Sequence, residues 1–248
     1  MQEKKIIHNN RVKDNSSKLI FGDSILCAQF IRDYLNIPML QSVQPEAIED
    51  VSERFVPLFT SDREADTVKR IRLKDEKSLF LVSLIEHKTE VDYNVIMKLL
   101  RYMCYIWEDY EKEILKEIDV RKNPPNELKE KRLTSVHKDF KYPPILPVVY
   151  FEGTGKWTAV MNLKDRIYLS DIFEKYIPDF SYELICLHDY MNDQLMEHGN
   201  EMSLIMLLNK LQSLADTEGI WELKDYQGNV LEHTPEHLLD IIAKITTV

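Results

Sequence analysis

Apolar residues near the start of the chain recur at intervals of three and four, which predicts two helices before any strand. Asp23 or Ser24 caps the first helix and Pro38 ends it. Pro45 suits the first turn of the second, shorter helix. The predicted apolar faces are Leu26, Phe30, Ile31 and Tyr34 in the first helix and Ile48, Val51 and Phe55 in the second.

The pattern then changes to that of a β-hairpin. Residues 66–73 (DTVKRIRL) are β-branched and charged, which is typical of an outer strand. Residues 74–77 form a polar turn, and residues 79–88 (LFLVSLIEHK) form a near-continuous apolar run that indicates a strand buried on both faces. A helix over 79–88 is the alternative, but the short length and the flanking turn residues favour a strand.

A long helix separates this hairpin from the next strand. Residues 95–118 keep helical spacing of apolar side chains, and Pro124-Pro125 stops the helix within a polar stretch. Residues 145–151 (ILPVVYF) predict another buried strand. The order strand, strand, helix, strand predicts an α/β sandwich.

Beyond about residue 165 the pattern is mainly helical. Ser170 opens a short helix, residues 182–187 are a candidate strand, and residues 201–215 form a helix. Thr234-Pro235 opens the last helix. We therefore predict two parts, a core over residues 19–165 and a mainly helical extension over residues 166–248.

Composition restricts the class of protein. Hydrophobic residues make up 44% of the 248 residues, enough for a substantial core. The longest apolar run is too short to span a bilayer and the N-terminus lacks the apolar stretch of a signal peptide, so we expect a cytoplasmic protein. The three cysteines, Cys27, Cys104 and Cys186, lie in apolar contexts and are interpreted as reduced core residues.

The net charge of −10 counts against a protein whose whole surface binds nucleic acid, because phosphate binding favours Lys and Arg. Residues 121–141 nevertheless hold seven Lys and Arg against three Asp and Glu. This stretch is either a solvated loop or a local basic groove. A homodimer would be a second way to build such a groove.

Asp66, Glu86 and Lys88 are the candidate catalytic residues. Glu86 and Lys88 are two apart on a strand, so their side chains leave the same face. If residues 66–73 pair with 79–88, Asp66 returns beside Glu86. Two carboxylates can hold Mg²⁺, and a neighbouring lysine can stabilise an anionic transition state during phosphodiester hydrolysis. The alternative is an ordinary ion pair at the rim of the sheet.

The sequence segments around this hairpin resemble those of the Rpn family of recombination-promoting nucleases, also described as transposases of YhgA type. The longest similar segment is residues 63–113, which contains the motifs Glu-His-Lys and Leu-Arg-Tyr-Met. The other similar segments are ILPVVYFEGTGKWTA, FGDSILCAQFIRDYL and, weakly, YELICLHDY. Together they cover about residues 19–165 and 182–190.

The resemblance implies a PD-(D/E)XK restriction-endonuclease-like fold, with a central mixed sheet flanked by helices. It also implies a Mg²⁺-dependent DNA endonuclease, with Mn²⁺ as an expected substitute. Asp66 and Glu86 match the metal-binding acids. Lys88 matches a position that is usually Gln in this family and Lys in the wider superfamily, which favours a working centre. A third acid from an early helix is common in the superfamily, and the candidates here are Glu46, Glu49 and Glu53. On the helix that follows the hairpin, Tyr102 is interpreted as a packing residue and Arg101 as a phosphate or carboxylate partner.

Two other functions stay open: a catalytically inactive DNA- or protein-binding module on the same fold, and a nuclease that acts on RNA. Gly153-Thr154-Gly155-Lys156 lacks the earlier glycine of a phosphate loop, so nucleotide binding is disfavoured. His233 and His237 are four apart, but Pro235 lies between them and makes capping or surface roles more plausible than zinc binding.

Overall fold

The computed structural model describes residues 20–55, 67–73, 78–86, 91–122, 136 and 138–246. Within these residues five strands form one mixed sheet in the order β1-β2-β3-β4-β5. The β1–β2 and β2–β3 pairs are antiparallel, and the β3–β4 and β4–β5 pairs are parallel. The strands are β1 (Ile48–Asp50), β2 (Thr67–Arg72), β3 (Ser78–Glu86), β4 (Ile145–Phe151) and β5 (Glu183–Cys186).

Helices cover both faces of the sheet, with α1 and α6 on one face and α3 on the other. No described helix is long and apolar enough to cross a membrane. The helices are α1 (Ser24–Tyr34), α2 (Ser52–Phe55), α3 (Val95–Lys122), α4 (Ser170–Phe173), α5 (Asn192–Met196), α6 (Glu201–Ser213), α7 (Thr217–Glu222), α8 (Lys224–Leu231) and α9 (Glu236–Thr246). Short 3-10 turns lie at Pro38–Leu40, Pro45–Ala47, Leu163–Arg166, Glu174–Tyr176 and Leu187–Asp189.

Side chains of β3 alternate between two hydrophobic cores, which confirms a strand buried on both faces. Leu79 and Leu81 pack in the core that contains α1 and α6, whereas Phe80 and Val82 pack in the core that contains α3. The predicted fold class, an α/β sandwich with a central mixed sheet and a mainly helical C-terminal part, is therefore confirmed. The predicted turn at residues 74–77 lies outside the described residues.

The first helix and the long helix are confirmed. Asp23 caps α1, because its carboxylate accepts hydrogen bonds from the backbone N–H groups of Ile25 and Leu26 at 2.8 and 3.1 Å. Helix α3 runs four residues further than predicted, to Lys122, and so ends just before Pro124. The helix continues for one turn beyond its predicted end because each residue before Pro124 keeps the backbone N–H group that a helical hydrogen bond requires.

The second predicted helix is wrong. Pro45 opens a three-residue 3-10 turn, the chain then forms β1, and only residues from Ser52 to Phe55 are helical. The strand forms because β1 pairs with the edge of β2, where Ile48 lies opposite Ile71. This long-range pairing overrides the helical spacing of the apolar residues.

Strand β2 is not an outer strand, since β1 lies between it and solvent. Its charged side chains find partners on other elements. Lys69 is 2% exposed and its ammonium lies 2.7 Å from the carboxylate of Asp50 on β1. Arg70 pairs with Glu113 of α3 at 3.3 Å. Charges typical of a strand edge are thus paired with opposite charges, with Lys69 buried and Arg70 partly exposed.

The cysteine interpretation is partly wrong, because Cys104 is exposed. It lies on α3 outside the buried stripe that contains Leu99, Tyr102 and Ile106. Cys27 is fully buried, and burial raises the pKa of its thiol to about 12. Burial also raises the pKa of the half-buried Cys186, to about 11, with the neighbouring Asp189 adding to the effect.

The C-terminal helices share a hydrophobic core with α1. Gln29 of α1 accepts a hydrogen bond from the backbone N–H of Met202 at 3.0 Å and donates one to Glu201 at 2.6 Å. Asn200 donates to Asp33 at 2.6 Å. Residues beyond 165 also supply β5, as the segment 182–187 predicted. A division of the chain near residue 165 stays a prediction.

Candidate active site

The strand termini next to the predicted catalytic residues lie at one end of the sheet. The carboxyl ends of β3, β4 and β5 meet there because these strands are parallel, and the amino end of β2 joins them because β2 is antiparallel to β3. Thr67 pairs with Ser83, and Glu86 pairs with Phe151. This end of the sheet is called the C-end below.

The three predicted site residues lie at or next to the C-end in the sequence. Asp66 directly precedes Thr67, the first residue of β2, and Glu86 is the last residue of β3. Asp66 and Lys88 themselves lie outside the described residues, and only the backbone of Glu86 is described. The hairpin that should bring them together is confirmed, whereas the meeting of their side chains stays a prediction.

Two hydroxyl groups lie buried where β2 and β3 pair near the C-end. Thr67 and Ser83 face each other across the two strands, and neither hydroxyl has a hydrogen-bond partner within the described part of the chain. Unsatisfied buried hydroxyls cost free energy, so a strand pair in a purely structural core would favour apolar residues here. Two buried hydroxyl groups therefore lie within the sheet, close to its C-end.

A further polar cluster at the C-end was not identified from the sequence. Glu152, which follows β4, accepts a hydrogen bond from Asn209 of α6 at 3.2 Å. The imidazole Nε2 of His188, after β5, lies 3.1 Å from the hydroxyl of Ser213. A signal did exist, since Glu152 directly follows β4 and His188 lies two residues after β5, and the ends of parallel strands share one edge of the sheet.

Burial sets the protonation of this cluster. Desolvation, reinforced by the positive charge of Lys210, lowers the pKa of His188, so its imidazole is neutral at about pH 7. Burial, and then the nearby Glu152, raises the pKa of Tyr150 well above its ordinary value. The Lys210 ammonium donates to the backbone carbonyl of Tyr190 at 2.5 Å, and burial lowers its pKa.

Of the three candidate glutamates for a third acid, Glu53 lies on an early helix as expected, whereas Glu46 and Glu49 do not. Glu46 lies in a 3-10 turn, Glu49 lies on β1, and Glu53 lies on the four-residue α2. Glu49 lies opposite Arg70 of β2, and Arg70 lies opposite Phe80 of β3. Phe80 is six residues before Glu86, which corresponds to roughly 20 Å along β3. The structure therefore separates Glu49 from the C-end.

Other residues singled out from the sequence have structural roles. Tyr102, on α3, is fully buried in the core between α3 and the sheet, which confirms its packing role, whereas Arg101 is exposed. His237 is exposed and its Nε2 lies 3.3 Å from Asp23, the cap of α1, which agrees with a surface role. Most of the basic stretch 121–141 lies outside the described residues.

The predicted ligands are chemically suited to Mg²⁺, because Asp66 and Glu86 both offer carboxylate oxygens and Mg²⁺ prefers oxygen donors. Within the described ranges there is no group of three or more His, Cys, Asp or Glu side chains that could hold a metal ion elsewhere. A Mg²⁺ site at the C-end stays a prediction.

The antiparallel hairpin, the parallel β3–β4 pair and the helices on both faces define an α/β sandwich of the PD-(D/E)XK type. The chain belongs to the family described as Putative transposase, YhgA-like, whose model matches residues 12–237. That description associates the family with mobile DNA and recombination. Neither the curated proteins nor the solved structures gave a match to the chain.

Proposed function

We propose that the chain is a Mg²⁺-dependent endonuclease that hydrolyses phosphodiester bonds of DNA in recombination or the movement of mobile DNA. The observation that supports this best is the register of the β2–β3 hairpin. Thr67, which follows Asp66, pairs with Ser83, three residues before Glu86. Membership of the YhgA-like family supports the link to DNA.

In this proposal Asp66 and Glu86 hold the metal ion at the C-end. Bound Mg²⁺ or Mn²⁺ would supply positive charge beside the phosphoryl group and lower the pKa of a coordinated water. The ammonium of Lys88 stabilises the negative charge that develops in the transition state. The hydrogen bond from Asn209 to Glu152 links the end of the neighbouring strand β4 to α6.

The test of the activity is plasmid nicking by the purified chain with Mg²⁺, Mn²⁺, Ca²⁺ or EDTA. We expect nicked product with Mg²⁺ or Mn²⁺ and a rate at least about a hundredfold lower in EDTA, because the anionic phosphate then lacks its counter-charge. A rate that does not change in EDTA would contradict a metal-dependent mechanism. Single- and double-stranded DNA and RNA compared side by side would identify the substrate class.

The net charge of −10 favours one other function, a catalytically inactive module on the same fold that binds DNA or a protein partner. The same assay separates the two. Absence of nicking on every nucleic acid with every metal, together with calorimetry that detects no metal binding, would support the inactive module.

Lys88→Met is expected to lower the nicking rate about a hundredfold, the effect of removing one charge-stabilising donor from a transition state. Mn²⁺ affinity in calorimetry should stay nearly unchanged, because Lys88 is not a proposed ligand. Lys88→Gln, which installs the residue usual in the resembled family, should retain more activity than Lys88→Met.

The matched control is Lys224→Met, since Lys224 is exposed on α8. Its nicking rate should equal that of the unchanged chain. Equal rates for Lys88→Met and Lys224→Met would remove Lys88 from the proposed centre.

A further inference from the structure

Residues 163–180, called the arm, leave the main body between β4 and β5. The arm closes on itself at its base, where Asn162 pairs with Ser181 and the backbone N–H of Leu163 donates to the carbonyl of Phe180 at 3.1 Å. Leu163 is buried at this base, and it is the one fully buried residue of the arm, which is described throughout. Ile167 and Phe180 also pack, partly buried, against the hydrophobic core, and most residues between them are exposed. The middle of the arm therefore projects from the core.

The projecting part of the arm is unusually apolar. Five large hydrophobic side chains within nine successive residues are between 44% and 88% exposed: Tyr168, Leu169, Ile172, Phe173 and Tyr176. Ile172 lies on α4 and Tyr176 in the 3-10 turn that follows it, whereas Tyr168 precedes Leu169, the residue before α4. The five exposed side chains are called the arm patch.

The conformation of the arm is held by its own backbone. Leu169 adopts φ 57°, in the left-handed region that a leucine rarely occupies. The N–H groups of Ile172 and Phe173 both donate to the carbonyl of Leu169 at 3.1 Å and begin α4. The arm patch is therefore presented on a preformed turn.

The size of the arm patch suits an interface. At roughly 150–250 Å² for a large side chain, its exposed fractions correspond to roughly 500–800 Å² of surface in contact with water. The largest apolar patch on a typical monomer is roughly 300–600 Å². A stable protein–protein interface buries roughly 800 Å² on each partner. The arm patch thus supplies most of one side of such an interface.

The charge of the arm indicates what kind of partner fits. It carries three cations, Lys164, Arg166 and Lys175, against four acids, Asp165, Asp171, Glu174 and Asp179. DNA or an anionic lipid surface would favour a clear excess of Lys and Arg. A nearly neutral apolar patch on a chain of net charge −10 instead allows two identical copies to approach without strong repulsion at the contact.

We infer that the arm is a homodimerisation element, with the arm patch of one chain packed against the arm patch of a second copy. A two-fold symmetric contact of this kind is self-complementary, since each patch covers the other. The inference does not depend on the proposed nuclease activity, because the arm contains none of the proposed catalytic residues.

Sedimentation velocity of the full chain tests the inference. We expect a species of twice the 29.4 kDa chain mass at low micromolar concentration. Ile172→Asp, which places a charge in the middle of the arm patch, should raise the dimer dissociation constant at least about a hundredfold. The side chain is exposed, so the melting temperature of the monomer fold should not fall.

The control is Trp221→Asp, which charges a 76% exposed side chain on α7, outside the arm. It should leave the dimer intact. In a Cys104→Ser background, Ile172→Cys should form a disulfide between two chains on oxidation, because a residue near a two-fold axis meets its own copy.

Three results would overturn the inference. The first is a chain that stays monomeric up to about 100 µM. The second is a dimer that Ile172→Asp does not weaken. The third is an equal loss of dimer in the Trp221→Asp control. If the monomer instead bound DNA or anionic vesicles through the arm patch, binding lost in Ile172→Asp would assign the patch to that ligand.

Discussion

Asp66→Ala and Glu86→Ala are each expected to lower the rate of plasmid nicking by at least about a thousandfold, the largest effect predicted for this chain. Each variant removes one of two proposed carboxylate ligands. A lone carboxylate binds Mg²⁺ weakly, since the ion gives up hydration water reluctantly. Stabilisation of phosphoryl charge worth several kcal/mol would then be lost, and about 4 kcal/mol corresponds to a thousandfold in rate.

A readout other than activity separates loss of metal from loss of fold. Calorimetric titration with Mn²⁺ should detect binding to the unchanged chain and not to either variant, while circular dichroism and melting temperature stay the same. Glu222→Ala is the matched control, because Glu222 is an exposed acid on α7. It should leave both nicking and Mn²⁺ binding unchanged.

The result also tests the hairpin argument directly. If Glu86→Ala abolished nicking and Asp66→Ala did not, the pairing of the two acids would be wrong although the strand end would be right. If both variants nicked DNA as fast as the Glu222→Ala control, the C-end would not be the catalytic centre.

The central hairpin and the long helix were predictable because local sequence pattern and tertiary environment agree there. Residues 79–82 are apolar enough to be buried between two layers of helices, and the strand that they predict forms. The 3/4 spacing over α3 is similarly unbroken, so its buried stripe is visible in the sequence.

Strand β1 was not predictable because partners distant in sequence determine it. Three residues with two acids carry almost no strand signal, and the apolar spacing around Val51 and Phe55 favours a helix. What stabilises the strand is its pairing to β2, including Asp50 opposite Lys69. The spacing of residues along the chain shows neither the pairing of β1 with β2 nor the position of Asp50 opposite Lys69.

For the candidate site, spacing predicted which strand ends meet but not what surrounds them. The predicted proximity of Asp66 and Glu86 follows from the pairing of strands within one hairpin, which is a local feature of the sequence. Glu152, His188 and Asn209 come together only after β4, β5 and α6 are assembled, so their contacts depend on the order of strands in the sheet. The arm patch is similarly invisible in sequence, where Ile172 and Phe173 resemble ordinary core residues.

Asp50→Asn is expected to lower the free energy of unfolding by about 2–3 kcal/mol, because it leaves the ammonium of Lys69 buried without its opposite charge. Lys69 is 2% exposed and Asp50 is 47% exposed. Breaking a fully buried pair costs roughly 3–5 kcal/mol, and water at Asp50 reduces that cost. Asparagine keeps an oxygen for the N–H of Ser52, which donates to Asp50 at 2.9 Å.

The pH dependence gives a second measure of the same pair. Burial alone would raise the pKa of Asp50, but hydrogen bonds from Lys69 and Ser52 together outweigh burial and lower it from its ordinary 3.8. A lowered pKa stabilises the fold above the ordinary value, and this stability is lost as pH falls through the folded pKa. The difference between Asp50→Asn and the unchanged chain, measured by urea unfolding, should therefore be constant near neutral pH and shrink below about pH 4.

Glu49→Gln is the matched control, since it makes the same chemical change at the neighbouring exposed position on β1 and should stay within about 0.5 kcal/mol of the unchanged chain. Combining Asp50→Asn with Lys69→Met should restore most of the lost stability, because the buried charge is then gone as well. If Asp50→Asn and Glu49→Gln unfolded at the same urea concentration, the pair would contribute little and β1 would be stabilised by backbone pairing alone. A double variant less stable than Asp50→Asn would mean that the Lys69 ammonium has a further role in the core beside Cys27, whose pKa it lowers against the effect of burial.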